Sequence, residues 1–431
     1  MKKCRRGLFS NPGLWYNLIK GGRMKKILAV FLLLAAGGLP QQLSHEVRVI
    51  NIEVPVRVFA GDRFVDYLRI EDFEVLEDGI PQKIDAVYLV KKTAVEGKEN
   101  QTVESKEGKS INLPNMSRYF YLVFSLSEYN PKIPEALSYF FKNVLRTGDH
   151  LFIITPRAVY DMRREAVGAV SIEATVNRLK KIVREDIQMG NSAYRSVLND
   201  LKRMVQVGGI EKGTEDKLWE AEEEFSAYGS GDIREYFQKL QSDVTLLENL
   251  RPLKEEKLLQ FAESLKKIVG RKIVIIFYQK ETVPIMRWSF LMTIDNDPFI
   301  KIYLTDLFDQ FNRAAIIDVP RLKAAFSDSS ISLYFSYLTS SAGDGHINQV
   351  AEHTEDVFNS FDEVAKATGG ATSTSANTAF LMKQATQAAE NYYLLYYSPK
   401  NKTADQKFRT ITVRVKSGDY RIAHMAGYVA K

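Results

Sequence analysis

Cysteine is almost absent from this chain. Its 431 residues include one, Cys4, close to the amino terminus. A chain cleaved after the apolar segment discussed next would carry no thiol, which excludes disulfides, thiolate metal ligands, cysteine nucleophiles and a lipid-bearing cysteine. The apolar run Ile27–Ala36 has ten residues, whereas a helix that spans a bilayer needs about 20.

The first 40 residues have the pattern of a secretory signal. Residues 24–26 (MKK) give a basic start, Ile27–Ala36 an apolar core, and residues 37–40 (GGLP) a break before polar sequence. We therefore expect residues 1–40 to be an upstream extension followed by a signal beginning at Met24. The protein would then be exported to a bacterial periplasm or secreted. An uncleaved membrane anchor is the alternative, and either Met1 or Met24 fits as the start.

Features of enzymes and of nucleic-acid binding proteins are also scarce. The formal charge of +6 is spread along the chain, whereas nucleic-acid binding usually needs a clustered basic face. The five histidines are scattered, and the Gly-x-Ser-x-Gly elbow of serine hydrolases does not occur. With 45% hydrophobic and 26% charged residues the chain has an ordinary globular composition. We expect no enzymatic activity and no nucleic-acid partner.

Hydrophobic patterning divides the rest of the chain into segments. Apolar and polar residues alternate in "VRVINIEVPVRV" and "EDFEVLEDG", which predicts antiparallel strands. Residues 93–117 are polar and contain few apolar residues, which predicts a linker. The predicted segments are an amino-terminal β module (46–92), a linker (93–117), a large α/β unit (118–399) that contains a helical insertion (about 202–269), and carboxyl-terminal strands (400–431). We expect the last strands to pack with the amino-terminal β module, because chain ends often lie close together.

The unit 118–399 alternates strand and helix patterns, which favours a mostly parallel sheet covered by helices on both faces. Its predicted strands are Tyr119–Phe124, His150–Thr155, Lys272–Tyr278 and Ser330–Tyr337. The stretch "AVYDMR" predicts an antiparallel edge strand. The insertion is longer than one crossover helix, so we expect a helical arm that either packs back on its own domain or forms a coiled-coil interaction arm.

Several motifs together resemble the von Willebrand factor type A family, and most closely its secreted bacterial "VWFA-related" branch. They are "IEDFEVLEDGIPQKI", "YFYLVFSLSEYN", "GRKIVIIFYQKE", "FDEVAKATGGATSTS" and "YYLLYYSPKN" followed by "KFRTITVRVK". The resemblance implies an α/β fold: a Rossmann-like type A domain with a mostly parallel central sheet and helices on both faces. A helical insertion and a flanking small β module would complete it.

The resemblance also implies where a metal ion-dependent adhesion site would lie. The family's Asp-x-Ser-x-Ser pattern falls on Ser125, Ser127 and Tyr129, its Thr on Ser192, and its Ser-Asp-Gly on residues 278–280 (YQK). Because Mg²⁺ is normally held with one or two carboxylates, the loss of both family aspartates indicates a degenerate, metal-free site. The alternative is Mg²⁺ held by substituted ligands. These would be Ser127, Ser192, Glu128 and Glu281.

These observations predict an exported, non-enzymatic protein-binding module without cofactor. The expected recognition surface consists of the loops that carry the degenerate site. Its candidate binding residues are Ser125, Ser127, Tyr129, Ser192, Tyr194 and Glu281. The partner would be a protein of unknown identity, and no membrane span would remain after signal cleavage. A metal-dependent adhesion protein is the alternative.

Overall fold

The structure is a computed structural model. It describes residues 2–3, 51–91, 94–99, 117–162, 171–208, 233–251, 253–279, 282–284, 317–338, 350–352, 355–373 and 378–430. The expected signal, most of the expected linker, Lys280 and Glu281 lie outside these ranges.

Nineteen strands and eight α-helices are described. The strands are β1 (Lys2–Lys3), β2 (Ile52–Ala60), β3 (Arg63–Phe64), β4 (Phe73–Glu77), β5 (Ile80–Gln82), β6 (Ile84–Lys91), β7 (Ala94–Glu99), β8 (Arg118–Ser125), β9 (His150–Ile154), β10 (Val159–Met162), β11 (Arg271–Gln279), β12 (Thr282–Pro284), β13 (Ile331–Leu338), β14 (Val350–Glu352), β15 (Ala371–Ser373), β16 (Asn391–Tyr397), β17 (Phe408–Val415), β18 (Arg421–His424) and β19 (Gly427–Val429). The helices are α1 (Ile133–Asn143), α2 (Ile172–Gly190), α3 (Ser192–Gly208), α4 (Ile233–Leu250), α5 (Glu255–Leu265), α6 (Val319–Asp328), α7 (Glu355–Ala367) and α8 (Thr378–Glu390).

The largest sheet has seven strands in the order β1-β10-β9-β8-β11-β13-β15. Its inner strands are parallel, and β10 and β1 extend one edge in the antiparallel sense. Buried apolar residues of α1, α2 and α8 pack on one face, and those of α5, α6 and α7 on the other. Burial on both faces explains why β11 reads as an almost unbroken apolar run.

Two antiparallel sheets form a β-sandwich. One has the order β18-β2-β16-β6-β7, with β3 beside β2, and the other has the order β19-β17-β4-β5. Alternate residues of β2 (Val54, Val56 and Val58) face Val75 of β4 and Val413 of β17 in the shared core. Because β17 pairs with β4 and β18 with β2, the prediction that the strands from the two chain ends pack together is confirmed.

The predicted fold class is wrong. Eleven of the fifteen described strand pairs are antiparallel. The protein is therefore a mixed α/β structure with a substantial antiparallel portion, and not a Rossmann-like domain with a small β module. The error centres on β16, which sequence reasoning assigned to the 118–399 unit but which pairs with β2 and β6. A short apolar run does not reveal its partners, because buried parallel and central antiparallel strands have the same pattern.

Two segment boundaries also need correction. Within the predicted linker, β7 pairs with β6 along its whole length. Within the predicted insertion, α5 packs Leu258, Ala262 and Leu265 into the core beneath the large sheet. It is therefore a covering helix. Of the remaining predicted insertion the structure describes the end of α3 and all of α4, and these two helices contact each other.

The sandwich contacts the amino-terminal ends of the parallel strands. The Arg271 guanidinium lies 4.2 Å from the Tyr392 ring centroid, and the Ala426 amide donates to the Ala367 carbonyl at 2.6 Å. The Val429 amide donates to Asp328 at 3.0 Å. The carboxyl ends of the same strands therefore lie at the opposite edge, where α/β sheets usually bind ligands. None of the described helices has the length and apolarity needed to cross a membrane.

Candidate binding site at the carboxyl ends of the strands

The predicted site lies where β8 and β11 end side by side. Ser125 ends β8 and pairs in register with Tyr278 of β11. The chain then crosses the sheet edge through Leu126–Asn130 and enters α1. Parallel pairing brings these ends together, so the predicted position is the observed one for Ser125, Ser127 and Tyr129.

Gln279 holds the loop after β8. Its side chain is buried, and its Oε1 accepts hydrogen bonds from the Ser127 hydroxyl at 3.3 Å and from the Glu128 amide at 3.0 Å. A neutral amide thus occupies the position where the family resemblance implies an aspartate. It satisfies two loop donors without bringing negative charge to the strand ends.

Asn191 joins this loop to the corner between α2 and α3. The side chain is buried, and its Nδ2 donates to the Leu126 carbonyl at 2.6 Å and to the Ile187 carbonyl at 3.0 Å. Because backbone carbonyls accept these bonds, the corner is fixed relative to the end of β8 whatever side chains surround it. Sequence reasoning singled out the two serines and missed both amides.

The other predicted site residues do not converge on one point. Ser125 is buried, whereas Ser192 is exposed and donates to the Met189 carbonyl at 3.0 Å. Tyr194 is only 3% exposed, so its predicted role as a contact surface is wrong. Glu128 is exposed, and Glu281 lies outside the described residues.

Tyr129 is the predicted residue that best fits a contact role. Its ring is half-buried, and the Arg184 guanidinium lies 5.7 Å from the ring centroid. Its hydroxyl is buried without a hydrogen-bond partner among the described residues. Burial raises the pKa of this phenol, and the charge of Arg184 partly offsets the rise.

Asp186 forms a second polar cluster beside the site. Its Oδ2 accepts from the Thr155 hydroxyl at 2.9 Å and from the Tyr160 hydroxyl at 2.5 Å, and Arg157 lies 4.0 Å from Oδ1. Burial, followed by this hydrogen bond, raises the pKa of Tyr160. The cluster fastens the β9–β10 hairpin to α2. The sequence does carry a signal for it, because Asp186 occupies an apolar position in the stripe Val176, Leu179, Val183 and Ile187.

Among the described residues, carboxylates and histidines do not gather at this edge. Within the described ranges, no group of three or more His, Cys, Asp or Glu side chains is placed to hold a metal ion. Asp186, the buried acid here, is bonded to two hydroxyls.

Comparisons with known proteins add no family assignment. No model of a known protein family matches the chain, and no curated protein matches it significantly.

Proposed function

We propose that this protein is an exported binding protein that recognises a protein partner with the surface around the carboxyl ends of β8 and β11, without a metal ion and without catalysis. The main support is the Gln279 side chain, whose neutral oxygen accepts from the Ser127 hydroxyl and the Glu128 amide. A loop held in this way needs no cation to keep its shape. Because the predicted fold class is wrong, the proposal rests on this site rather than on the family resemblance.

The position of the sandwich supports the same surface. Its contacts through Tyr392, Ala426 and Val429 lie at the amino-terminal ends of the parallel strands. The surface at the other end includes the half-buried ring of Tyr129 and the 61% exposed side chain of Met189. Partly buried aromatic residues and exposed methionine are frequent in protein interfaces.

Affinity capture from bacterial envelope extracts, performed in EDTA, tests the proposal. The full-length protein would be compared with a Tyr129→Ala variant and with a Tyr67→Ala control, since Tyr67 is 67% exposed on the sandwich. We expect Tyr129→Ala to lose the proteins that the wild type and the control retain. Equal capture by all three would contradict the proposed surface. Proteins that are captured only when the experiment is repeated with Mg²⁺ in place of EDTA would instead favour the metal-dependent alternative with Glu128 and Glu281.

A further inference from the structure

Five side chains crowd the corner between α2 and α3 and the loops beside it. We call this surface the donor corner and define it by Tyr129, Arg157, Met189, Arg184 and Arg195. Arg157 contacts the Met189 sulfur at 2.9 Å, Arg184 lies over Tyr129, and Arg195 donates to the Gln188 carbonyl. These three contacts involve the last two turns of α2, the first turn of α3, and the loops that carry Tyr129 and Arg157.

The arginines of the donor corner are incompletely neutralised. The nearest carboxylate to Arg157 among the described residues is Asp186 at 4.0 Å, and the other oxygen of that group already accepts two hydroxyls. Arg184 and Arg195 form no ion pair within the part of the chain that the structure describes. Glu128 and Glu185, exposed acids adjacent in sequence to Tyr129 and Arg184, form no ion pair with these arginines in the described ranges.

The unsatisfied buried groups of the donor corner can all donate hydrogen bonds. They are the Tyr129 hydroxyl and the Arg195 Nε, which have no partner among the described residues. Buried polar groups are rarely left unpaired, because the loss of their hydration is costly. Both atoms are shielded from solvent, so the donors that a partner can reach directly are the exposed guanidinium groups of Arg157 and Arg184.

We propose that the donor corner binds an acidic segment of the partner protein, in which one carboxylate meets Arg157, a second carboxylate meets Arg184, and a neighbouring apolar side chain covers Met189. This inference rests on the proposed function, since it names the chemistry of the partner at the same surface. A carboxylate suits the site because guanidinium groups bind it through paired, charge-assisted hydrogen bonds. The 61% exposed Met189 supplies the adaptable apolar contact beside it.

Fluorescence anisotropy with the full-length protein tests the inference. The probe is a short labelled peptide of alternating Asp and Leu, and its matched control has Asn in place of Asp. We expect the acidic peptide to bind and the neutral peptide not to. Arg157→Gln combined with Arg184→Gln should weaken binding by about tenfold, because two charged contacts are removed. The charge-matched control combines Arg63→Gln with Arg414→Gln, two exposed sandwich positions, and should leave binding unchanged.

The outcomes of these binding experiments test the acidic-segment inference separately from the proposed binding surface. Binding of both peptides, equal loss in both double variants, or equally tight binding of a single-stranded oligonucleotide would overturn the inference. Thermal melting of the variants would identify any loss that comes from unfolding, and Arg184→Gln alone, at an exposed position, then gives the test. If the acidic peptide fails while Tyr129→Ala still loses the envelope partner, the inference is wrong and the proposed function stands. If both fail, the surface is not a binding site.

Discussion

At the end of β11, one amide oxygen serves two donors of the neighbouring loop, the Ser127 hydroxyl and the Glu128 amide. Gln279 is 4% exposed, so water cannot easily replace the amide if it is removed. Together with Asn191, which donates to the Leu126 carbonyl, this side chain therefore maintains the shape of the loop after β8. The same reasoning explains why an uncharged residue can stand at the position where the family resemblance implies a carboxylate.

Gln279→Ala should destabilise the protein. Loss of the acceptor leaves two donors unsatisfied near the strand ends, which costs about 1–3 kcal/mol of unfolding free energy. Urea denaturation measures the difference. Gln188→Ala, at an exposed amide in the last turn of α2, is the matched control and should change stability by less than about 0.5 kcal/mol. Equal effects of the two variants would show that the Gln279 hydrogen bonds do not support the loop.

His424 should make the stability of the sandwich depend on pH. Burial lowers the pKa of this imidazole below its usual value, and the Met425 carbonyl opposes the shift. The neutral ring donates to that carbonyl and accepts from the Val413 amide at 3.4 Å. Below the unfolded-state pKa of about 6.5 the unfolded chain takes up a proton that the folded chain resists, so stability falls as pH drops.

The measurement is the unfolding free energy of wild type and His424→Gln between pH 8 and about pH 5. We expect the wild type to lose stability below about pH 6.5 by more than the variant does. A wild-type curve parallel to that of His424→Gln over this range would show that the imidazole does not contribute to the pH dependence.

Secondary-structure elements with clear local patterns were predicted well, but the pairing partners of some of them were not. The four predicted strands of the large sheet agree with β8, β9, β11 and β13 to within a few residues. Apolar periodicity identifies an element, whereas pairing depends on contacts between distant residues. For this reason the residues of β16 were placed within the α/β unit rather than with the sandwich strands, and the fold class was wrong.

The site was predicted only in part, again because contacts between distant residues leave no local pattern in the sequence. The position of Ser125, Ser127 and Tyr129 follows from the order of strand and loop. Gln279 and Asn191 escaped notice because a neutral amide has no distinctive pattern until its partners are known. The burial of Tyr194 could have been inferred, because it shares a helical stripe with Leu198 and Leu201.

Asp186 should control the attachment of the β9–β10 hairpin to α2. Asp186→Ala removes the acceptor for the Thr155 and Tyr160 hydroxyls, which we expect to cost about 3 kcal/mol, since these hydrogen bonds involve a charged group. Hydrogen exchange of the β10 amides should accelerate more than that of β11. The adjacent exposed Glu185→Ala is the control. Unchanged β10 exchange in Asp186→Ala would contradict this role.

At the scale of the whole molecule, strands from residues 52–99 and from residues 391–429 build one sandwich. Glu77 of β4 accepts hydrogen bonds from Tyr397 of β16 at 2.7 Å and from Tyr428 of β19 at 3.0 Å. The core includes Val54 from β2 and Ile411 from β17. The sandwich strands before and after the large sheet in the sequence should therefore unfold together rather than as separate parts.

Ile411→Ala tests this cooperativity. The side chain is 2% exposed, and its truncation should cost about 2–5 kcal/mol through lost burial and the cavity left behind. Native-state hydrogen exchange should report the same loss at the amides of β2, β4 and β17. Arg414→Ala, at an exposed position on β17, should leave all three unchanged. A loss confined to β17 would mean that the chain ends do not form one cooperative unit.

The most direct test of the account is the melting temperature of the full-length protein in EDTA and then in excess Mg²⁺ or Mn²⁺. An ion present at a hundred times its dissociation constant would stabilise the folded state by about 2.7 kcal/mol. Because Gln279 already satisfies the loop donors without charge, we predict the same melting temperature in all three solutions. A rise in either cation that Glu128→Gln abolishes would contradict the account.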